Sequence, residues 1–438
     1  MEDWLGHRAR THAERPALIA EAGIVTYADL HAGADRTARR LAALGVGEGA
    51  RVATTLPPDV GFAELLHALP RVGASLVPLN TRLTAAERRW QIEDCGAVLT
   101  VEEPLDGDEA ELAPVARPDE WALVYTSGTS GTPHGVSLSH ANFAASAFAS
   151  AWNLGVDPDD RWLCVLPLFH VGGLSILTRS AIYGTAAVVR PFAVEPVAEA
   201  LENGDITLAS LVPTMLRRLA DAGLESAPAL RAALLGGGPV PRDLLAWAAE
   251  RGLPVLQTYG MTETCSQIAT AAATTSAARP LPGVELSISA HGEILVRGPM
   301  VSRAALAGDG WLHTGDRGRI DPDGYLWVEG RLKDVIVTGG ENVACAEVER
   351  VLEAHPAVIE AAVVGAPDPE WGEIVTAYVV LSNGVGDAEL IAHCRERLAA
   401  YKTPRAVQRV EALPRNAAGK LLRRELRTLG GEARDRTL

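Results

Sequence analysis

Nowhere does this chain offer the ~18 consecutive apolar residues that a membrane-crossing helix needs, so no span is expected. Cysteine is sparse: Cys95, Cys164, Cys265, Cys345 and Cys394 are scattered, odd in number and form no Cys-x-x-Cys pair. That spacing argues against a disulfide framework and a zinc site and fits a reducing compartment. Positive charge is in deficit, with 40 Lys and Arg against 55 Asp and Glu and a formal net charge of −15. A nucleic-acid surface needs a basic footprint, so nucleic acid is not an expected partner. The opening residues, MEDWLGHRARTHAERP, lack the apolar core of a signal peptide, and a cytoplasmic location is expected. No fixed repeat period is present.

What is present is apolar mass, 47% of 438 residues, enough for two to four compact units. Ala28 to Leu44 carries helical spacing and ends at Gly45. Short strand-like runs follow at Arg51 to Leu56, Ala74 to Leu79 and Ala97 to Val101, with a helical stretch at Thr84 to Asp94. Further on, strands are expected at Trp162 to Leu166, Ala186 to Val189, Thr207 to Leu211 and Ala232 to Leu235. Helices are expected at Pro213 to Ala222 and Arg242 to Glu250. Such alternation specifies a mostly parallel α/β sheet covered on both faces. From about Gly283 to Val328, short β runs broken by Gly, Asp and Pro predict a small antiparallel unit. Beyond Gly330 a compact α+β segment is expected, with strands at Val335 to Thr338 and Ile374 to Leu381. Its helices start near Ala346 and cover Ala388 to Leu398.

Chemistry concentrates in a few loops. Tyr125 to Val136 reads YTSGTSGTPHGV, between an apolar run and Ser139, a candidate N-cap. Its glycines let backbone N–H groups converge on an anion, and its hydroxyls add donors without bulk. Without a following Gly-Lys-Ser/Thr it is not a Walker A loop, and a plain flexible turn is the alternative. Gly236-Gly237-Gly238-Pro239 ends a strand candidate, where a flat ligand could lie against backbone or where the chain simply turns. In Tyr259-Gly260-Met261-Thr262-Glu263, Tyr259 offers a stacking face, Thr262 a donor and Glu263 a hard oxygen for Mg²⁺. The motif is expected just past an apolar strand, Pro254 to Leu256. His313-Thr314-Gly315-Asp316 presents a carboxylate after a glycine turn, able to accept from two ribose hydroxyls or to serve only a β-turn. Gly330-Arg331-Leu332-Lys333-Asp334 leads into Val335 to Gly340, and Pro414 to Lys420 reads PRNAAGK.

Taken in order along nearly the whole chain, these five motifs resemble the acyl-adenylate-forming superfamily of acyl-CoA synthetases, peptide-synthetase adenylation domains and luciferase-like enzymes. The resemblance implies a large N-terminal α/β domain with a small β unit, residues 1–330, and a small mobile α+β lid, residues 334–438, joined by a hinge at 331–333. It implies ATP, Mg²⁺ and coenzyme A. By the same resemblance, Thr126, Ser127, Gly128, Thr129, Ser130, Gly131 and Thr262 contact phosphates, and Glu263 holds Mg²⁺. Tyr259 stacks on adenine flanked by Gly236, Gly237 and Gly238, while Asp316 and Arg331 hold the ribose. Lys420 bridges the reacting carboxylate and the α-phosphate, Lys333 is the hinge residue, and Gly339 and Gly340 line a path for CoA. The chain departs from the pattern at His134, where a lysine is usual; imidazole is shorter and ordinarily neutral near pH 7.

Two strings bear on the acid. Leu166 to Ser175, LPLFHVGGLS, is expected to precede a helix, and Thr264 to Ile268 reads TCSQI. Ser266 and Gln267 would leave donors unpaired against an alkyl chain, so a polar acyl group is expected. With the short chain, these strings are similar to the o-succinylbenzoate–CoA ligases of menaquinone synthesis. His170, Ser175, Ser266, Gln267 and Arg82 are the candidate acid residues, Arg82 either as the guanidinium for a second carboxylate or as a surface arginine at a helix N-cap. Loading of a separate carrier protein, or ligation of another aromatic or short- to medium-chain acid, is the alternative. A non-catalytic adenylate-binding role conflicts with the retained Glu263, Asp316, Arg331 and Lys420. A homodimer is among the states the sequence allows.

Overall fold

The computed structural model describes residues 3–116, 118–126, 133–238, 240–272, 275–332, 334–338, 341–368, 371–382, 384–416, 419 and 421–428, with backbone alone at 335, 337 and 342. Two compact units divide the chain, one of residues 1–285 and 296–312, the other of 286–295 and 313–438.

Among the described residues, the first unit holds two sheets where the alternation suggested one. The nine-stranded sheet has a parallel centre, in spatial order Val255–Met261, Ala232–Leu235, Leu208–Leu211, Arg161–Cys164 and Ala186–Val189. All four residues of Ala232–Leu235, of Leu208–Leu211 and of Ala186–Val189 are buried, as expected of strands covered by helices on both faces. Ser266–Ala272 pairs antiparallel with Val255–Met261 at one side. The five-stranded sheet pairs Arg51–Thr54 and Ser75–Pro78 in parallel and closes on the antiparallel hairpin Glu120–Thr126/His134–Ser139. Trp121 from that hairpin is 2% exposed; it stacks on His140 at 4.4 Å and meets Phe143 edge-on.

Three elements differ from the sequence reading. The run expected at Pro254 to Leu256 is the strand Val255–Met261, because its ladder to Ser266–Ala272 carries it onward; Tyr259 therefore lies within a strand. The helix expected after Leu166 to Ser175 begins inside that string, at Val171, and runs to Tyr183, so Ser175 and Arg179 stand one turn apart on one face. His313 to Asp316 also lies in a strand, Leu312–Ile320, with Gly315 at φ +68°.

Most of a four-stranded sheet, Glu285–Ile288, Glu293–Arg297, Leu312–Ile320 and Leu326–Arg331 in spatial order, falls in the second unit. A five-stranded sheet follows, built on the long antiparallel pair Val358–Asp368/Gly372–Leu381. The helix Cys345–Glu353 packs on it through Val348 and Leu352, both fully buried. Glu349, on the same helix, is buried, and half-buried Arg423 reaches its carboxylate at 2.6 Å and Asp334 at 3.5 Å.

Candidate active site

In the first unit, Thr126 and His134 face each other across the hairpin that carries the glycine- and hydroxyl-rich loop. Ser127, Gly128, Thr129, Ser130 and Gly131 lie outside the described residues. Past the hairpin, Ser139 caps the helix His140–Leu154 as expected: Asn142 N–H donates to Ser139 Oγ at 3.1 Å, and Asn142 Oδ1 accepts from Ser139 N–H at 2.9 Å. Such a cap stabilises by about 1 kcal/mol and fixes where the hairpin leaves its sheet.

At the carboxyl ends of the parallel strands, Gly236 follows Leu235 so closely against Thr258 that a Cβ would meet Thr258 Oγ1 at 2.4 Å. Gly237 has φ +85°, and Gly238 faces open space. The three glycines thus leave backbone bare beside the strand that bears Tyr259. Gly260 is required by close approach: a Cβ there would lie 2.0 Å from Ser266 O.

Thr262–Thr264 forms one turn of 3₁₀ helix, and the Glu263 carbonyl accepts from Ser302 N–H at 2.8 Å. The Glu263 carboxylate lies 3.5 Å from His134 Nε2, and Thr126 Oγ1 lies 3.3 Å from the same ring. Two motifs far apart in sequence, the phosphate-type loop and the YGMTE string, therefore meet at one place. Among the described residues no group of three His, Cys, Asp or Glu could hold a metal. A single carboxylate fits Mg²⁺, which keeps several waters and takes phosphate oxygens as its other ligands.

The chain next turns at Cys265, φ +51°, and Ser266, φ +96°, a left-handed pair with no glycine. Each such residue costs on the order of 1–3 kcal/mol and persists only where its surroundings hold it. Thr264 Oγ1 accepts from Met261 N–H at 3.0 Å and donates to Ser266 O at 2.8 Å, and Ser146 Oγ donates to Cys265 O at 2.8 Å. Gln267 then points inward, 4% exposed, with Nε2 donating to Ser150 Oγ at 2.9 Å and Oε1 without a partner.

The other acid-binding candidates gather on and before the helix Val171–Tyr183, which packs against the strand Ser266–Ala272. Burial, aided by the positive charge of Arg82, pushes the His170 imidazole down to about 4, so the ring is neutral at ordinary pH. Ser175 is 1% exposed and its Oγ has no partner. Arg179 escaped the sequence reading. It is buried, donates from Nη2 to Ser146 Oγ at 2.9 Å and lies 5.6 Å over the Trp162 ring. Its signal was available: it is the one charge in the helix VGGLSILTRSAIY.

In the second unit, Asp316 and Arg331 are register partners of a strand pair, with Arg331 Nε 2.8 Å from Asp316 Oδ1. Asp316 is 5% exposed; its N–H donates to Thr314 Oγ1 at 3.0 Å, and that hydroxyl donates to Ile294 O at 2.7 Å. The carboxylate is thus buried but oriented, as a bidentate acceptor for a diol would need to be. Lys333, Gly339, Gly340 and Lys420 lie outside the described residues. Close to Lys420, Arg415 Nη1 donates to Gly419 O at 2.9 Å, and Leu422 N–H donates to Pro414 O at 2.8 Å.

Comparison with known proteins agrees with this chemistry. The family described as AMP-binding enzyme matches residues 5–118 and 101–304, and the AMP-binding enzyme C-terminal domain matches 347–420. A 2-succinylbenzoate–CoA ligase of Bacillus cereus is 40% identical over 474 aligned positions that cover 98% of each chain. Among solved structures, o-succinylbenzoate CoA synthetase of Bacillus subtilis in complex with its acyl-adenylate intermediate superposes with a TM-score of 0.89 at 39% identity, covering 97% of this chain and 98% of that one. The same Bacillus enzyme in complex with ATP and magnesium ion gives 0.89 at 40% identity, covering 97% and 99%.

Proposed function

This chain belongs to the AMP-binding enzyme family, and from that premise we propose that it is an ATP-dependent acid–CoA ligase that converts 2-succinylbenzoate to its CoA thioester. A carboxylate is a poor acyl donor because oxide is a poor leaving group. Attack of a carboxylate oxygen on the α-phosphorus of ATP forms a new P–O bond and releases pyrophosphate, leaving the acyl group on AMP. The CoA thiol then attacks the acyl carbon, and AMP departs with the electron pair of the broken C–O bond.

The first step brings an anion toward a polyanion, so stabilising charge is its main demand. Mg²⁺, when bound, neutralises phosphate charge, and Glu263 would hold it. Thr126, Thr262 and the 127–131 loop donate to phosphate oxygens, with His134 beside them. Tyr259 stacks on adenine over Gly236 to Gly238, and Asp316 with Arg331 fixes the ribose. Lys420 supplies the countercharge for the incoming carboxylate. Residues 334–438 act as a lid turning at 331–333, which removes Lys420 after adenylation and brings the 338–341 segment to the CoA path. His170, Ser175, Ser266, Gln267 and Arg82 receive the acid. This reading places the reaction in menaquinone synthesis in the cytoplasm and is compatible with a homodimer. Among the described residues no helix is long and apolar enough to cross a membrane.

The meeting of His134 with Glu263 carries this reading, because it joins the phosphate loop to the magnesium carboxylate. The test is pyrophosphate release with ATP and a panel of acids, with and without CoA. Release that needs 2-succinylbenzoate, followed by thioester only when CoA is present, is the expected result. Acyl transfer to carrier proteins but not to CoA would overturn it.

A further inference from the structure

Arg179 is a cation placed where a leucine would pack. It is 2% exposed, and among the described residues no carboxylate lies within ion-pair distance of it. Burying an uncompensated guanidinium is costly, so what it does for the fold has to be sought in its contacts. One polar contact is made, Nη2 to Ser146 Oγ at 2.9 Å, and Nε has no partner.

That contact fixes a direction. A guanidinium can only donate, whereas a serine hydroxyl has a single proton to give. Accepting from Arg179 leaves Ser146 that proton for Cys265 O, at 2.8 Å, rather than for a carbonyl of its own helix. The low polarity around Arg179 and Trp162 strengthens both bonds of the chain. Their end point is the carbonyl of a residue in the left-handed conformation, followed by another at φ +96°. Cys265 has no Gly-like freedom; its side chain is fully buried in the core. The turn so held has Thr262 and Glu263 on one side and Ser266 and Gln267 on the other.

We propose that Arg179 is a positioning residue: through Ser146 it clamps the Cys265–Ser266 turn and thereby aims Glu263 at Mg²⁺-ATP. This rests on the reading of Glu263 as the magnesium residue. Two readouts test it in the full chain: Mg²⁺-dependent ATP binding by calorimetry, and pyrophosphate release with its KM for ATP and Mg²⁺ midpoint. Arg179→Met keeps length and apolar packing but removes the donors; Ser146→Ala removes the relay alone and spares the core should Arg179→Met fail to fold. In folded protein, each is expected to raise the Mg²⁺ midpoint and lower kcat/KM for ATP by roughly tenfold or more, as a small misplacement of a catalytic group does. The double variant should be no worse than either single one, since both cut the same path. Adding Cys265→Gly to Ser146→Ala should recover part of the loss, because glycine takes a left-handed turn without a clamp. Unchanged ATP affinity and Mg²⁺ midpoint in folded Ser146→Ala, or losses that multiply in the double variant, would overturn the clamp. Absence of pyrophosphate release by the unaltered protein with every acid would instead sink the ligase reading, and Mg²⁺-ATP binding would still decide the clamp.

Discussion

His134 and Glu263 approach within 3.5 Å, ring nitrogen to carboxylate oxygen, across the base of the loop that would hold phosphates. The ring is 54% exposed, so ligand can reach it. A lysine here would add a fixed positive charge for the outer phosphates, and it would also compete for the Glu263 carboxylate. His134→Lys is therefore expected to lower the KM for ATP about threefold to tenfold at pH 8, near one charge-assisted hydrogen bond, and to raise the Mg²⁺ midpoint. Steady-state kinetics of the two proteins at pH 8, with ATP and Mg²⁺ varied in turn, is the check. An unchanged KM means that the side chain does not touch phosphate.

Asp316 is buried, held by Arg331 and by Thr314, and aimed by a strand rather than a loose turn. If it receives the ribose, the enzyme should prefer ATP to 2′-deoxy-ATP by roughly tenfold or more, the cost of an unmet buried acceptor. Asp316→Ala should erase most of that preference. The fold should survive, since Arg331 is 38% exposed and water can replace its partner. Equal discrimination in both proteins would take Asp316 out of the ribose site.

Much of this site could be read from the chain because glycine announces it. Gly236, Gly237 and Gly260 sit where a Cβ would collide or φ is positive, and each lies in a motif the sequence already marked. The left-handed pair Cys265–Ser266 carries no such mark; it is stabilised by Ser146 and Thr264, partners that only folding brings near. Ser266–Ala272, SQIATAA, has little intrinsic strand character, and its ladder to Val255–Met261 makes it one. By contrast Ala186–Val189, Ala232–Leu235 and Arg242–Glu250 fall where their apolar periods put them, because burial and period agree there.

The lid assignment makes opposite forecasts for two lysines. Lys420→Ala should abolish pyrophosphate release from acid plus ATP, because the attacking carboxylate loses its countercharge. A chemically prepared acyl-adenylate should still yield thioester with CoA. Lys333→Pro, which fixes φ at the hinge, should keep adenylation and impair thioester formation. Stopped half-reactions measure both. Equal losses in the two steps for Lys420→Ala would remove the two-state lid.

Acid should weaken the fold before it touches the paired carboxylates. Burial pushes His67 and His170 down to about 4, aided by Arg71 and Arg82 respectively. Above the ordinary histidine value of about 6.5, folded and unfolded chains are both neutral at these sites. Between about 6.5 and 4 the unfolded chain takes up protons that the folded one refuses, so stability falls as pH falls. Each histidine contributes up to about 3 kcal/mol over that window at about 1.4 kcal/mol per unit. Although burial acts the other way, hydrogen bonds from Arg39 and Arg231 hold Asp35 and Asp160 below their usual value, and their loss comes only at lower pH. Urea unfolding at several pH values should show this slope, and His67→Gln should reduce it. An unaltered slope in that variant would clear His67.

On the proposed reading, acid choice turns on two buried atoms with no partner, Ser175 Oγ and Gln267 Oε1, and on the Arg82 charge felt by neutral His170. Ser175 has a proton to give, and a carboxylate or keto oxygen is the acceptor it lacks. Gln267 faces Ser150 through Nε2; turned over, its amide would accept from Ser150 and offer Nε2 to the acid instead. A pocket of such donors is satisfied by a keto diacid and left unpaired by a monoacid, at about 1–3 kcal/mol per group. 2-Succinylbenzoate should therefore exceed benzoate, phenylbutyrate and octanoate in kcat/KM by roughly tenfold to a hundredfold. Arg82→Ala should cut this preference more than it cuts turnover of a monoacid, because it removes the guanidinium that a second carboxylate requires. Ser175→Ala should cost the diacid less, having removed one neutral donor. A CoA-thioester assay of four acids on three proteins decides the matter. Octanoate or benzoate as the best substrate would leave a CoA ligase whose pocket was built for something else.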